Sequence, residues 1–336
     1  MIKPTHGTWN IKSRPTNWDD VNHDIKYKQQ LDGLPRIKIG VKNHCYKPFN
    51  TVNIDYKGRV FHCDCDGWLP FPTGEVLDFN SMEDIMTSIQ LKEIQDSIID
   101  QTFKFCDIRY CGIQKSNQGI SNLKNIHLHI GIDNSCNLSC PSCRERVIFD
   151  ASSDYVNEKT QWVDRIVQWI INSDRKFYIT VGSNGEPFAS PVYIYLLEQL
   201  QDLNNVSLTI RTNGTLKLTT LPKTLAHLFI SIDAGTKEVY EQVRRGGRWD
   251  ALLKNLQYIK ELGSFPVTAN FVIQKTNLLD MPNFANLCQT YNMTPNYVLL
   301  EDWGTWHEFE SQCVHLPTSP DYKTFTDMVK QLNISL

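Results

Sequence analysis

The predicted fold depends most on one segment, Ile126-His-Leu-His-Ile-Gly-Ile132-Asp-Asn-Ser-Cys136-Asn-Leu-Ser-Cys140-Pro-Ser-Cys143. Its first seven residues carry apolar side chains at every second position, which predicts a β-strand with one buried face. Three cysteines spaced CxxxCxxC follow on the next loop. They can bind three irons of a cubane cluster and leave the fourth iron open, whereas electron-transfer clusters take four cysteines. An open coordination position is typical of a catalytic metal site rather than a structural one. The alternative is a zinc site with a distant fourth ligand.

From this strand onward the sequence alternates strand, loop and helix. Further strands are predicted at 177–181, 206–210, 228–232, 267–273 and 297–300. Helices are predicted from their apolar stripes at 156–172, 192–203, 250–262, 281–291 and 322–332. Six β/α units in succession predict an α/β fold with a parallel sheet, either doubly wound or a partial barrel.

The overall composition excludes several classes of protein. The chain has 336 residues and a formal net charge of −3, which excludes a strongly basic nucleic-acid binder. No apolar run approaches the roughly 20 residues of a membrane span, and residues 1–14 lack a signal-peptide core. Ten cysteines without a secretion signal favour metal binding over disulfides. We therefore expect a cytoplasmic protein.

Four later segments, each after a predicted strand, extend the pattern. They are Gly182-Ser-Asn-Gly185-Glu186-Pro187, Arg211-Thr-Asn213-Gly214-Thr215, Ser231-Ile-Asp233 with the downstream Val243-Arg244-Arg-Gly246-Gly247, and Gln274-Lys275-Thr-Asn277. Taken singly, Gly-Glu-Pro and Asn-Gly are ordinary turns, and Arg244 is as readily a solvated charge at a helix end. In barrel-type β/α folds, however, functional residues collect on loops after the carboxyl ends of the strands, where these segments are predicted to lie.

Together with the CxxxCxxC loop, these segments resemble the radical S-adenosylmethionine (SAM) enzymes over about residues 125–302. The resemblance implies a partial (β/α)6 TIM-like barrel and a [4Fe-4S] cluster on Cys136, Cys140 and Cys143, with SAM at the open iron. It also implies cofactor-binding roles for Gly185, Glu186, Asn213, Ser231, Asp233, Arg244 and Asn277. Many members carry an aromatic residue before the third cysteine. Ser142 departs from this pattern, so no adenine contact is predicted there.

A second group of cysteines lies near the N-terminus. Twelve residues separate Cys45 from Gly58 and four separate Gly58 from Cys63, a spacing similar to the opening of the auxiliary-cluster modules called SPASM and twitch. The resemblance implies a second [4Fe-4S] cluster on Cys45, Cys63, Cys106 and Cys111. Cys65 could replace Cys63, because a CxC pair brings both sulfurs within reach of one metal. Zinc on the same four ligands is the alternative.

These patterns predict four segments. Residues 1–35 form an N-terminal arm, and residues 36–122 form a small α+β domain that binds the auxiliary cluster. That domain contains a hairpin turning at Lys57-Gly58 and a helix capped by Ser81. Residues 123–302 form the radical SAM partial barrel, and residues 303–336 a C-terminal extension with a helix.

The resemblance implies reductive cleavage of SAM to a 5′-deoxyadenosyl radical that abstracts hydrogen from an unactivated C–H bond. We expect a peptide, protein, or small alcohol or sugar as substrate, with the auxiliary cluster aiding an oxidation or crosslinking. The expected partner is a reductant such as flavodoxin or ferredoxin, with neither nucleic acid nor membrane. One alternative is a non-catalytic iron–sulfur or zinc protein. Another is a peptide epimerase in which Cys313 returns a hydrogen atom, although Cys313 and Cys288 also suit buried packing.

Overall fold

The computed structural model describes residues 45–63, 72–105, 124–218 and 221–336. These residues divide into two compact units. Unit 1 contains the described residues up to Ile132 together with 158–180 and 203–207. Unit 2 contains residues 133–157, 181–202 and the described residues from Leu208 to Leu336. None of the described helices is long and apolar enough to cross a membrane.

Unit 1 carries the strand order β3-β2-β1-β4-β5. Strand β1 pairs antiparallel with β2 and parallel with β4, so the sheet is mixed. The elements are α1 (Lys47–Asn50), β1 (Thr51–Ile54), β2 (Arg59–Phe61), β3 (Gly74–Glu75), α2 (Met82–Met86), α3 (Ile89–Ile99), β4 (Asn125–Ile130), most of α4 (Ser153–Ile171) and most of β5 (Lys176–Val181).

The predicted hairpin is confirmed for β1 and β2. Gly58 adopts a left-handed φ of 76° in the turn, a conformation that glycine takes at little cost. The Asp55 carboxylate accepts hydrogen bonds from the backbone N–H groups of Lys57 and Arg59, which fixes the turn. Residues 36–44, with which the predicted domain 36–122 begins, lie outside the described residues.

The helix predicted after Ser81 begins where expected but divides into two. The Ser81 hydroxyl accepts from Asp84 N–H, and the Asp84 carboxylate accepts from Ser81 N–H, which makes a capping box at the start of α2. Ser88 then caps the new helix α3 by accepting from Leu91 N–H. The prediction of a single helix after Ser81 was therefore wrong, because a second serine cap interrupts the apolar stripe.

Unit 2 carries the strand order β6-β7-β8-β9, with all three neighbouring pairs parallel. Its elements are α5 (Pro191–Gln199), β6 (Val206–Thr212, which begins in unit 1), β7 (Leu225–Ser231), α6 (Lys237–Val243), α7 (Trp249–Leu262), β8 (Val267–Ile273), α8 (Met281–Thr290), β9 (Thr294–Leu299) and α9 (Tyr322–Gln331). The first five residues of α4 also belong to this unit.

Alternating burial along the strands of unit 2 explains how they pack. Leu208, Ile210, Leu228 and Ile230 are fully buried, whereas the residues between them are half-buried or exposed. The predicted α/β class is confirmed, and the succession of parallel strands and helices is consistent with the expected partial TIM-like barrel. The short helix α6 was not predicted, because seven residues provide too little periodicity.

Candidate functional site

The loop that carries the three cysteines begins in unit 2 at Asp133, whose carboxylate is completely buried. One carboxylate oxygen accepts from Ser135 N–H and from the Tyr155 hydroxyl, both at 2.8 Å. The other accepts from the Ser190 hydroxyl at 2.5 Å. Because Ser190 also caps α5, this one carboxylate ties the cysteine loop to the first turns of two helices.

Backbone hydrogen bonds shape the rest of the loop. Cys136 N–H donates to Ile148 O at 2.7 Å, and both Cys143 N–H and Arg144 N–H donate to Cys140 O. Cys140 is buried, Cys136 is half-buried and Cys143 is exposed. The structure therefore places the three predicted cysteines on one loop. Cys140 is the least accessible to solvent of the three, and Cys143 is the most accessible.

Removing the Asp133 carboxylate is expected to destabilise this loop. In Asp133→Ala, Ser135 N–H and the Ser190 hydroxyl lose their acceptor in a buried place, which costs about 2–4 kcal/mol of unfolding free energy. Chemical denaturation measures this loss. The control is Asp202→Asn, which removes an exposed pair with Lys223 and should change stability by less than about 0.5 kcal/mol. Equal stability of the two variants would contradict the anchoring role.

The Gly185-Glu186 segment packs directly on the cysteine loop. Glu186 N–H donates to Ser135 O at 2.8 Å. A Cβ atom at Gly185 would lie 2.6 Å from Ser135 O and 2.7 Å from Asp133 O, closer than side-chain carbons approach backbone oxygens. Glycine is thus required here because two loops meet backbone to backbone.

The Glu186 carboxylate is buried, and both of its oxygens are occupied. One oxygen accepts from Phe188 N–H at 3.1 Å and from the Thr212 hydroxyl at 2.7 Å; the other accepts from Asn213 N–H at 2.6 Å. Burial raises the pKa of this carboxyl, and the hydrogen bonds from Asn213, Thr212 and Phe188 oppose that rise. Glu186 therefore joins its loop to the end of β6. Its contact with SAM stays a prediction.

Asn213 links the end of β6 to the cysteine loop. Its amide N–H₂ donates to Asn137 Oδ1 at 2.9 Å and lies 3.9 Å from Cys136 Sγ. Its amide oxygen accepts from the N–H and the hydroxyl of Thr215, which in turn accepts from the Asn137 amide at 2.9 Å. Asn213 thus contacts the first cysteine and the residue after it.

Asp233 and Arg244 form a buried ion pair beside the second cysteine. Asp233 has a left-handed φ of 60°, and one of its oxygens accepts from Val272 N–H at 2.8 Å. Its other oxygen lies 2.8 Å from Arg244 Nη2. Arg244 Nη1 lies 3.6 Å from Cys140 Sγ. Asp233 and Arg244, which were both predicted to contact SAM, therefore bind each other, and the arginine contacts a sulfur that is predicted to bind the cluster.

Ser231 is the last residue of β7, and Asn277 lies in the loop that follows the neighbouring strand β8. The Asn277 side chain is fully buried; its amide N–H₂ donates to Asp233 O and Val272 O, and its oxygen accepts from Gln274 N–H. Asn277 thus fixes the backbone of Asp233. Ser231 is half-buried at the last position of β7. Direct contacts of these two residues with SAM stay predictions.

Two arginines next to the cysteines were not predicted as site residues. Arg144 donates to Asn134 O and Asn184 O, both at 2.7 Å. Arg245 donates to the Ser139 hydroxyl at 3.1 Å and to Glu145 O at 2.9 Å. Both clamp the loop. The position of Arg144 directly after the third cysteine was the available sequence signal.

These cations also affect the thiols. Burial raises the pKa of Cys136 and Cys140, and the nearby charges of Arg144 and Arg244, respectively, lower it. Two unoccupied polar atoms add to the fit for an anionic ligand group: among the described residues, Ser135 Oγ and Arg244 Nε are buried without a hydrogen-bond partner. Thiolates next to cations suit an iron–sulfur cluster.

No three His, Cys, Asp or Glu side chains in the described ranges converge closely enough to hold a single metal ion. The ligands of a cubane cluster need not converge on one point, because each thiolate binds a separate iron.

Comparison with known proteins identifies this region. Residues 131–288 match the family model described as the Radical SAM superfamily. This segment is similar to radical SAM domains. The match begins just before Asp133 and ends in α8, so it includes all three cysteines and every predicted SAM contact.

Relatives of the domain include two kinds of curated enzyme. The chain is 26% identical over 197 residues to the mycofactocin maturase MftC of Mycobacterium tuberculosis, covering 54% of this chain and 48% of that protein. It is 29% identical over 169 residues to the GTP 3′,8-cyclase of Alkaliphilus metalliredigens, covering 48% and 52%. The chain thus spans about half the length of the curated relatives it matches.

Among solved structures, the chain is similar to Streptococcus suis SuiB, in the crystal structure with its precursor peptide SuiA. The TM-score is 0.44 with 17% sequence identity, and the match covers 78% of this chain and 63% of SuiB.

The remaining cysteines occupy different surroundings. Cys45 and Cys63, in unit 1, pack on one apolar cluster that includes Phe61 and Phe105. Cys65, Cys106 and Cys111 lie outside the described residues. Cys288 is buried in α8.

Cys313 is buried, and its thiol donates to Phe309 O. Burial raises the pKa of Cys313 to about 12, which keeps its thiol neutral. The structure thus gives Cys313 a packing contact, and its role as hydrogen donor stays a prediction.

Proposed function

We propose that the chain is a radical SAM enzyme whose [4Fe-4S] cluster is bound by Cys136, Cys140 and Cys143. The observation that carries the proposal is the cysteine loop itself. Two further segments contact it: Glu186 N–H donates to Ser135 O, and Arg244 reaches Cys140 Sγ at 3.6 Å. In a site of this kind the cofactor supplies the difficult chemistry, and the protein positions it and excludes water.

The residues divide into two roles. Cys136, Cys140 and Cys143 would hold the cluster, and Gly185, Glu186, Asn213, Ser231, Asp233, Arg244 and Asn277 would surround SAM. When bound, the reduced cluster and SAM supply a 5′-deoxyadenosyl radical that removes hydrogen from an unactivated C–H bond. Glu186, Asp233 and Asn277 orient the strand ends through buried hydrogen bonds, so their main contribution is a rigid frame.

A peptide is the proposed substrate. A maturase among the curated relatives supports this choice, and a GTP cyclase among them supports a small molecule as the second candidate. The proposed partner is a low-potential reductant of the flavodoxin or ferredoxin class. We infer that the enzyme works in a reducing cytoplasm, since thiolates must stay unoxidised to bind iron.

An auxiliary [4Fe-4S] cluster on Cys45, Cys63, Cys106 and Cys111 is also part of the proposal, with Cys65 as the alternative to Cys63 and zinc as the alternative metal. The packing of Cys45 and Cys63 on the same apolar cluster supports it. Cys45 lies before β1 and Cys63 lies after β2, so the β1–β2 hairpin brings the segments that carry these two cysteines to one side. Such a cluster would accept or relay the electron released when a substrate radical is oxidised.

Iron analysis tests the auxiliary cluster. The reconstituted chain is expected to bind about eight irons, and Cys45→Ala about four, because one of two four-iron clusters loses a ligand. Cys288→Ala removes a buried thiol remote from both clusters in sequence and should keep about eight. Equal iron in Cys45→Ala and the unmodified chain would contradict the auxiliary cluster, and stoichiometric zinc would establish the alternative metal.

Cleavage of SAM tests the proposed function as a whole. The chain, reconstituted anaerobically with iron and sulfide, is incubated with SAM with and without dithionite. We expect 5′-deoxyadenosine only in the reduced sample. If the chain binds iron and SAM but forms no 5′-deoxyadenosine, a non-catalytic iron–sulfur protein is the better description.

A further inference from the structure

The Asp233–Arg244 pair differs from an ordinary surface ion pair, because it is buried and the positive charge of Arg244 lies next to a cysteine sulfur. The Arg244 side chain is 12% exposed and that of Asp233 only 1%. One guanidinium nitrogen binds the carboxylate at 2.8 Å, and the other lies 3.6 Å from Cys140 Sγ. Arginine stays protonated under all conditions in which proteins fold. A permanent positive charge is therefore fixed against one sulfur of the cysteine loop.

Several contacts prevent this charge from moving. Asp233 is held by Val272 N–H at its carboxylate and by the Asn277 amide at its backbone oxygen. Arg244 directly follows α6 as its C-cap, and Arg244 N–H continues the helical bonding to Tyr240 O. The planar guanidinium binds the carboxylate through Nη2 and contacts the sulfur through Nη1, so the two contacts together fix the position of the charge.

A positive charge near a cluster thiolate changes the cost of adding an electron. Reduction by one electron makes the cluster more negative by one charge, so a nearby cation stabilises the reduced state more than the oxidised state. The effect is strong in a buried site, where water screens little. Hydrogen bonds to the sulfurs and the local charge are recognised determinants of cluster potential.

We propose that Arg244 is a positioning residue that raises the reduction potential of the cluster on Cys136, Cys140 and Cys143, and that Asp233 holds it against Cys140. The electron comes from a low-potential donor of the flavodoxin or ferredoxin class and enters the cluster without a change in bonding. This inference rests on the proposed function, because it requires a cluster on these three cysteines. It adds a role for the Asp233–Arg244 pair besides contact with SAM.

A redox titration followed by electron paramagnetic resonance tests the proposal on the reconstituted full chain. The relevant signal is the one that Cys140→Ala loses. In Arg244→Gln we expect the equilibrium constant for reduction to fall about tenfold, a shift of about 59 mV to more negative potential for one electron. Arg244→Lys keeps the charge and should recover most of this shift. Lys260→Gln removes a charge whose contact is Thr290 O and should leave the potential unchanged.

The outcomes separate this inference from the proposed function. A signal with an unchanged potential in Arg244→Gln overturns the inference alone, and so does an equal shift in Arg244→Lys and Arg244→Gln. A purely structural role would lower the iron content of both variants without moving the potential of the remaining cluster. Absence of any signal that depends on Cys140 in the unmodified chain overturns the proposed function together with the inference.

Discussion

Cys140→Ala is expected to abolish the formation of 5′-deoxyadenosine, with a loss of at least about a thousandfold, because groups that act as one unit fail together when one is removed. Cys140 is the buried member of the three cysteines and the one that Arg244 contacts. Without its sulfur, an iron of the proposed cluster would lose its ligand and the Arg244 charge would face an apolar methyl group. The measurement is the initial rate of 5′-deoxyadenosine formation under dithionite, together with bound iron.

Cys288→Ala is the matched control for this prediction. It removes an equally buried thiol, from helix α8, whose pKa burial raises to about 12. The two variants lose the same atoms, so they differ only in what the sulfur does. Comparable activity in Cys140→Ala and Cys288→Ala would contradict the assignment of Cys140 as a cluster ligand.

Gly185→Ala is expected to reduce both the cluster content and the rate at least tenfold. The added methyl group would lie 2.6 Å from Ser135 O and 2.7 Å from Asp133 O. Both neighbours are backbone atoms of the buried loop start, so they cannot rotate away as a flexible side chain can. The loop must shift, and misplacement by about 1 Å is enough to cost about a hundredfold in rate. Iron analysis and the rate of 5′-deoxyadenosine formation measure the effect.

Gly263→Ala is the control for the glycine substitution. Gly263 directly follows α7 with a left-handed φ of 55°, where an alanine costs about 1 kcal/mol of stability, and an added Cβ would make an ordinary contact of 3.7 Å with Lys260 O. We expect normal iron content in this variant. Full cluster content in Gly185→Ala as well would show that the two loops are not packed as tightly as the distances indicate.

The local part of the site could be predicted from the sequence. The CxxxCxxC spacing places three thiols on one loop whatever the rest of the chain does, and the strand before it follows from apolar alternation. The capping box of Ser81 and Asp84 also depends only on residues three apart. Each of these predictions uses contacts between residues that are close in sequence.

The buried polar contacts could not be predicted in the same way. Asp133 binds Ser190, 57 residues away, and Glu186 binds Asn213, 27 residues away. Whether Arg244 is a solvated charge or a buried one depends on Asp233 and Cys140, which lie on different loops. Sequence spacing gives no information on such pairs, because they form only when parallel strands bring their carboxyl ends together.

The ratio of products formed from SAM is the sharpest test of whether the chain cleaves SAM reductively. Reductive cleavage gives methionine and 5′-deoxyadenosine in equal amounts, whereas other breakdown of SAM gives neither this pair nor this ratio. For the reduced, reconstituted chain we expect both products at one to one, and we expect neither product from Cys140→Ala. Iron and SAM bound to the chain without either product, or equal product from Cys140→Ala, would contradict it.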